Sequence, residues 1–360
     1  MSPEFVTVKK SDSQFLKYLD GSFSKEHRAI PEQSLNINTS REQITFRVMP
    51  KSAILTPNLF VMLIRLFRLE WLSLSVGPVL VTYSYLFHKG FEIDHLNSVL
   101  SLLAILLFHG GVFALNDYKD HIQGVDRINF KGGSQVIQKG WLSAQTVQRL
   151  GIMLCGFGAV IGAFFVIQQP FFLISAALFL AVSVMAYSFW GNGLKTLGFG
   201  EMISFFCFGP LLTYGFSRVS VMDHTWQVVA LGIPFGHLAA LSLQVRHLEN
   251  LMSDDQFRVT TLGVRLGFDR YKRVIQYQFL FSIPLFLMGL YLSSVSWINF
   301  LLVIPYAYFC IKYFRIIGGS RSTFSSELDG LREKMSELHV LLSTLLLVSF
   351  WLDFSSLMNH

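Results

Sequence analysis

Asn116-Asp117-Tyr118-Lys119-Asp120, running on to Gly124-Val125-Asp126, places one carboxamide and three carboxylates in one short stretch. The residues just before it, Val99 to Leu115, are almost all apolar. Carboxylates at the mouth of a hydrophobic helix are costly, and those that persist usually serve a cation or a proton. Asn116 and Asp120 are four apart, so on a continuing helix both point to one face. Oxygen-only donors of this kind suit a hard divalent ion, and Mg²⁺ typically arrives with a phosphate-bearing substrate.

The chain continues into Lys131-Gly132-Gly133-Ser134-Gln135-Val136-Ile137-Gln138-Lys139-Gly140. Paired glycines expose backbone N–H groups, Ser134 and Gln138 add polar contacts, and Lys131 and Lys139 add positive charge. That combination can hold phosphate oxygens beside metal-bound carboxylates. Alone, a Gly-Gly-Ser turn is more often only a loop.

Arg246, His247, Glu249, Asn250, Asp254, Asp255 and Arg258 crowd a second short stretch, followed by Thr261-Leu262-Gly263-Val264-Arg265-Leu266-Gly267. If the helix before it runs on, Asn250 and Asp254 share a face as Asn116 and Asp120 do. A charged membrane-surface loop is the competing reading. Tyr187 and Lys195, with Gly198, Gly200 and Glu201, can cap the same mouth or serve as interfacial anchors. Arg65 and Arg68 pose a similar choice between touching a diphosphate and enforcing topology.

The elements that must position these residues are membrane helices. Of 360 residues, 52% are hydrophobic and only 14% charged, and the mean hydropathy is +0.48. That balance belongs to a polytopic membrane protein. Nine spans are expected: Trp71–Phe87, Val99–Leu115, Leu150–Gln168, Phe171–Phe189, Met202–Phe216, Val228–Leu243, Phe279–Val295, Ile298–Tyr313 and Val340–Leu357. Alternate loops hold nearly all the Lys and Arg, and the opposite ones carry only Lys89 and Arg218. This asymmetry puts the N-terminus and the loops bearing Asp117 and Asp254 in the cytoplasm. The net charge of +6 is then first a topology signal, and nothing supports nucleic-acid binding.

Cys155, Cys207 and Cys310 lie in or beside apolar spans and read as packing residues. Residues 1–52 read as a polar, partly disordered cytoplasmic extension without chemistry, ahead of a transmembrane domain over 53–360. Ser325–Leu338 reads as an amphipathic helix on the membrane surface. His109 and His237 read as satisfied by neighbouring helices, and Asp353 lies on the opposite side of the membrane.

These motifs resemble the UbiA superfamily of intramembrane aromatic prenyltransferases, and most closely its 1,4-dihydroxy-2-naphthoate branch. Asn116, Asp117, Asp120, Gly124 and Asp126 match the first signature in full. Gly132-Gly133-Ser134-x-Val136-Ile137-Gln138-x-Gly140 and Leu262-Gly263-Val264-Arg265-Leu266-Gly267 are similar to the naphthoate branch. Tyr187 to Lys195 and Gly198-x-Gly200-Glu201 resemble the loop after the fourth helix. The second signature departs from its Asp-x-x-x-Asp pattern. An ungapped register puts Asn250 and Asp254 on the two Asp positions; anchoring on Arg246 puts His247 on the first.

The resemblance implies an all-α bundle of about nine transmembrane helices around a central cavity open to the cytoplasm. It implies Mg²⁺-dependent transfer of an isoprenyl chain from a polyprenyl diphosphate to an aromatic acceptor, in menaquinone-like quinone biosynthesis. Asn116, Asp120, Asn250 and Asp254 would be metal ligands. Asp117, Asp120, Tyr187 and Lys195 would be catalytic. Arg68, Asp126, Lys131, Ser134, Gln138, Lys139 and Arg246 would contact substrate. Acidic groups from two cytosolic turns would converge over one apolar chamber. The expected setting is the bacterial inner membrane, with lipid as the surrounding partner. Two other readings compete: a degenerate member that binds isoprenoid or quinone without catalysis, and a transporter, which would need intramembrane charges along a pathway.

Overall fold

Ile44, Phe46 and Val48 alternate with Thr45 and Arg47, a period of two that suits a strand with one buried face. In the computed structural model, which describes residues 4–37, 39–128, 132–168, 171–176, 178–179, 182, 199–221, 226–256 and 261–358, they lie at the centre of a small sheet. The order begins β1 (Glu4–Lys9), α1 (Phe15–Asp20), β2 (His27–Leu35) and β3 (Gln43–Pro50). β3 lies between β1 and β2, antiparallel to both. Val6 faces Phe46 and Val8 faces Ile44 across the ladder. Val8, Phe15, Leu19, Ala29, Ile44 and Phe46 form its buried core. Pro31 lies in edge strand β2, at a bulge, where a residue without an N–H costs no ladder bond. The N-terminal segment is therefore folded over residues 4–37 and 39–50, where the sequence reading expected partial disorder. Its low apolar density concealed the alternation.

Helices follow. They are α2 (Leu59–Leu66), α3 (Ser73–His88), α4 (His95–Gln123), α5 (Val125–Ile128), α6 (Ala144–Gln168), α7 (Gly200–Phe208), α8 (Pro210–Ser220), α9 (Gln227–Glu249), α10 (Leu251–Gln256), α11 (Leu262–Leu266), α12 (Phe268–Leu292), α13 (Val303–Gly319) and α14 (Leu331–Met358). Outside the sheet the architecture is the expected helical one.

Among the described residues, six helical segments are long and apolar enough to cross a membrane, against the nine expected. They are His95–Gln123, Ala144–Gln168, Gln227–Glu249, Phe268–Leu292, Trp297–Gly319 and Ser326–Asp353. The difference has local causes. The expected span Met202–Phe216 is broken at Gly209-Pro210, where the proline ring cannot continue an incoming helix. Trp71–Phe87 is realised as the 16-residue α3. Phe171–Phe189 falls largely outside the described residues. α12 starts well before the expected Phe279 and carries Asp269, Arg270, Lys272 and Arg273 in its first turns. The Ser325–Leu338 segment is not a separate surface helix, because its latter half is the start of the continuous α14.

The chain divides into two compact units: residues 1–69 with 104–160, and residues 70–103 with 161–360. In the first, Leu66, Ala114, Val136, Ile137, Ala144 and Val147 form one buried cluster. It ties α2, α4, the Gly-Gly-Ser segment and α6 together. In the second, α9 is the most enclosed helix, packed against α7, α8, α12 and α14. There His237 Nε2 meets the Gln278 carbonyl at 2.9 Å, so this intramembrane histidine is satisfied by a neighbouring helix. Asp353 accepts from the Ser296 N–H at 3.0 Å and from Asn299 Nδ2 at 2.9 Å, a structural role at the end of α14.

Candidate functional site

In the first unit, the last turns of α4 carry Asn116, Asp117 and Asp120, and α5 carries Asp126. Asp117, Asp120 and Asp126 are 2%, 3% and 2% exposed. Asn116 Nδ2 donates to Asp120 Oδ2 at 2.9 Å, as the four-residue spacing requires. Asp117 is bound at both oxygens, by the Arg68 guanidinium at Oδ1 and by the Ser134 backbone N–H at 3.0 Å at Oδ2. Arg68 is itself buried and lies under the Phe113 ring, 4.8 Å from its centroid. Burial works against the guanidinium charge, but Asp117, then Asp126 and Asp120, more than reverse that and hold it above its ordinary pKa.

Gly133 takes a φ of 60°, and a Cβ there would run into the Asp126 carboxylate and lie 3.3 Å from Asp117 Oδ1. Only glycine leaves that space between the two acids open. Lys139 and Arg65, both exposed, share the Trp141 ring at 4.9 Å and 5.6 Å. Desolvation against the ring and the charge of Arg65 lower the Lys139 pKa. Gln138, expected to touch substrate, lies with its Nε2 3.3 Å from His121 Nδ1. Lys131, Tyr187 and Lys195 lie outside the described residues.

The motif is anchored by groups the sequence reading did not single out. His121 Nε2 lies 2.9 Å from the Leu19 carbonyl, an acceptor, so Nε2 carries the proton and Nδ1 accepts from Gln138. Arg127, beside Asp126, donates at 2.7 Å to Oε1 of Glu42, the residue just before β3.

In the second unit, Asn250 ends α9 and Asp254 lies in α10, its N–H donating to the Asn250 carbonyl at 2.8 Å. Asp254 is buried and Asp255 exposed, so the turn presents the first of the adjacent acids inward. His247, the competitor for the signature position, has its Nδ1 3.1 Å from Glu201 Oε1. Tyr271 Oη donates to the same oxygen at 3.4 Å, while buried Glu201 Oε2 has no hydrogen-bond partner among the described residues. In the sequence Glu201 stands within a glycine loop motif, and no residue near it signals the pairing. Arg246 is half-buried at the end of α9.

Hard oxygen donors around the gap that Gly133 leaves fit a divalent cation such as Mg²⁺. Among the described residues, no three His, Cys, Asp or Glu side chains already close on one point.

The sequence pattern of the UbiA prenyltransferase family matches residues 75–323. The chain is 24% identical over 247 residues to UbiA prenyltransferase domain-containing protein 1 of Xenopus tropicalis, covering 68% of this chain and 70% of that protein. It is 27% identical over 218 residues to 1,4-dihydroxy-2-naphthoate octaprenyltransferase of Haemophilus influenzae, covering 57% and 69%. For the Mycobacterium tuberculosis octaprenyltransferase of the same name the identity is 24%, with 50% and 61% covered. A solved UbiA homologue from Archaeoglobus fulgidus, bound to GPP and Mg²⁺, shares the fold with a TM-score of 0.56 at 15% identity, over 82% of this chain and 99% of that one. With its six apolar helices the protein is an integral membrane protein. By the motif and by a match over more than half its length, this chain belongs to the UbiA prenyltransferase family.

Proposed function

We propose that this prenyltransferase moves an isoprenyl chain from a polyprenyl diphosphate, with Mg²⁺, onto an aromatic acceptor of the dihydroxynaphthoate type, as a step in menaquinone-like quinone biosynthesis. The acceptor class is carried by the names of the relatives, and the donor and metal by the archaeal homologue bound to GPP and Mg²⁺. The observation in this chain that carries the reading is three buried aspartates gathered around Arg68 beside the Gly133 turn.

Asn116, Asp117, Asp120 and Asp126 would supply oxygen donors to a metal, and Asn250 with Asp254 a second set. Bound there, Mg²⁺ would neutralise charge growing on the leaving diphosphate. Arg68 serves this site by fixing the Asp117 carboxyl, a positioning role in place of direct substrate contact. Lys139, exposed and sharing the Trp141 indole with Arg65, would take a phosphate oxygen, and Ser134, Lys131, Lys195 and Arg246 would be further diphosphate contacts. Gln138 acts through His121. Cation stabilisation at the leaving group is the main catalytic lever. Aromatic side chains such as Tyr187 would shelter the developing allylic cation from water. The acceptor carbon then attacks C1 of the isoprenyl chain as the C1–O bond breaks. The ring regains aromaticity by losing a proton or, for a naphthoate carboxylate, carbon dioxide. The N-terminus and both acidic turns face the cytoplasm of a bacterial inner membrane in this reading.

Detergent-solubilised protein given Mg²⁺, a polyprenyl diphosphate and 1,4-dihydroxy-2-naphthoate should release diphosphate and form a prenylated product. EDTA should abolish turnover, and excess Mg²⁺ restore it. Unaltered turnover in Asp120→Ala would overturn the assignment.

A further inference from the structure

We infer that His247 is the general base of the transfer: Glu201 holds its ring so that Nε2 takes a hydroxyl proton from the aromatic acceptor as the acceptor carbon attacks. The inference rests on the reading that this chain prenylates a hydroxylated aromatic ring.

His247 lies in the last turn of α9 and Glu201 in the first turn of α7. A glycine lets the two helices close, since a Cβ at Gly236 of α9 would run into the Phe205 carbonyl of α7. An ionised carboxylate only accepts, so His247 Nδ1, 3.1 Å from Glu201 Oε1, carries the ring proton. The neutral imidazole then keeps its lone pair on Nε2. That nitrogen has no hydrogen-bond partner among the described residues. The two side chains are 5% and 10% exposed, so the pair is not a solvated surface contact.

Glu201 does more than select a tautomer. His247 and Tyr271 both bind its Oε1, and buried Oε2 has no partner among the described residues. A buried carboxylate so poorly compensated favours a positive charge beside it. The imidazolium formed when Nε2 takes a proton supplies that charge. Tyr271 is seated in turn by the Leu262-Gly263 turn, where a Cβ on Gly263 would lie 2.9 Å from the phenol ring. Tyr271 feels the charges of both Glu201 and Asp254, which sets the dyad beside the second acidic turn. Glu201, His247 and Gly263, three motif residues to which metal binding gives no task, thereby serve one nitrogen.

In the step, the hydroxyl proton passes to Nε2 and the O–H electron pair moves into the ring. The carbon ortho to that oxygen bonds C1 of the isoprenyl chain, and the C1–O electron pair leaves with diphosphate. The ketone so formed loses its ring proton to water, or its carboxylate as carbon dioxide. The oxygen then takes the first proton back from Nε2.

The test is anaerobic steady-state prenylation of 1,4-dihydroxy-2-naphthoate by the full chain in detergent, with geranyl diphosphate and Mg²⁺. Mn²⁺ affinity is read in parallel from the loss of the free Mn²⁺ electron paramagnetic resonance signal. His247→Gln should lower kcat about a hundredfold, with donor KM and Mn²⁺ affinity within about twofold of wild type, as loss of a general base predicts. Its kcat should climb as the pH rises and the acceptor hydroxyl ionises unaided. Glu201→Gln keeps an acceptor for Nδ1 but removes the charge, and should lower kcat about tenfold at unchanged donor KM, because a less basic imidazole is a weaker catalyst. Unaltered kcat in His247→Gln, or a deficit that higher pH does not relieve, would overturn the inference alone. Lost Mn²⁺ affinity would also overturn it, by making the histidine a metal ligand. Should His247→Gln fail to fold, Glu201→Gln decides: unaltered kcat, or a fall in Mn²⁺ affinity, overturns the inference. A wild-type chain that forms no prenylated product would bring down the functional reading and the inference with it.

Discussion

Arg68 and Asp117, 49 residues apart, share a hydrogen-bonded ion pair sealed from solvent between the end of α2 and the last turns of α4. Breaking one half of such a pair leaves a bare buried charge. Arg68→Ala should therefore lower unfolding stability by roughly 3–5 kcal/mol. Denaturant or thermal unfolding in detergent measures it. Arg68→Met combined with Asp117→Asn should recover most of the loss while abolishing diphosphate release. A stable Arg68→Ala protein would mean that water reaches the pair.

The turn at Gly133 offers a more selective probe. Alanine there must adopt a left-handed backbone and push against the Asp126 carboxylate. Strain of this kind costs about 1–3 kcal/mol. Gly133→Ala should cut diphosphate release more than the modest fall in melting temperature would explain. Wild-type turnover would show that the turn relaxes without disturbing the acids.

Asp254 and Asp255 are neighbours with opposite surroundings, one buried and one exposed. Asp254→Asn should reduce kcat/KM by about a hundredfold, as loss of one charged group at a reacting site commonly does. Asp255→Asn should change it less than about twofold, in keeping with an exposed surface position. Equal effects in steady-state assays would remove Asp254 from the second donor set.

Glu201 holds His247 and Tyr271 on one oxygen. Removing the acceptor strands both donors, so Glu201→Ala should cost about 1–3 kcal/mol for each. Glu201→Gln keeps a carbonyl oxygen in place and should cost less. Thermal unfolding of the two variants separates these outcomes. Equal melting temperatures would mean that the donors find water instead.

Much of this arrangement could be read from residue order. Asn116 and Asp120 pair as their spacing demands, and the long apolar runs around Val99–Leu115 and Val228–Leu243 became the centres of α4 and α9. Local pattern failed where a single bond or a distant partner decides. The Met202–Phe216 run looks continuous by hydropathy, yet Pro210 interrupts it. Residues 1–52 looked featureless because only every second side chain of β3 is apolar. Glu42 and Glu201 found their roles through contacts across 85 and 46 residues of chain, and no spacing rule reaches that far.

The sheet's grip on the helix tip bears on how the protein can be cut. Trimming the polar leader before Lys51, an ordinary step in preparing a membrane enzyme, would take away Ser34 and Glu42 from Arg127 and the Leu19 carbonyl from His121, and would lay Ile122 bare to water. What remains would be a shortened enzyme with unmet hydrogen-bonding groups at the end of α4 and in α5, prone to clumping there even with every transmembrane helix intact.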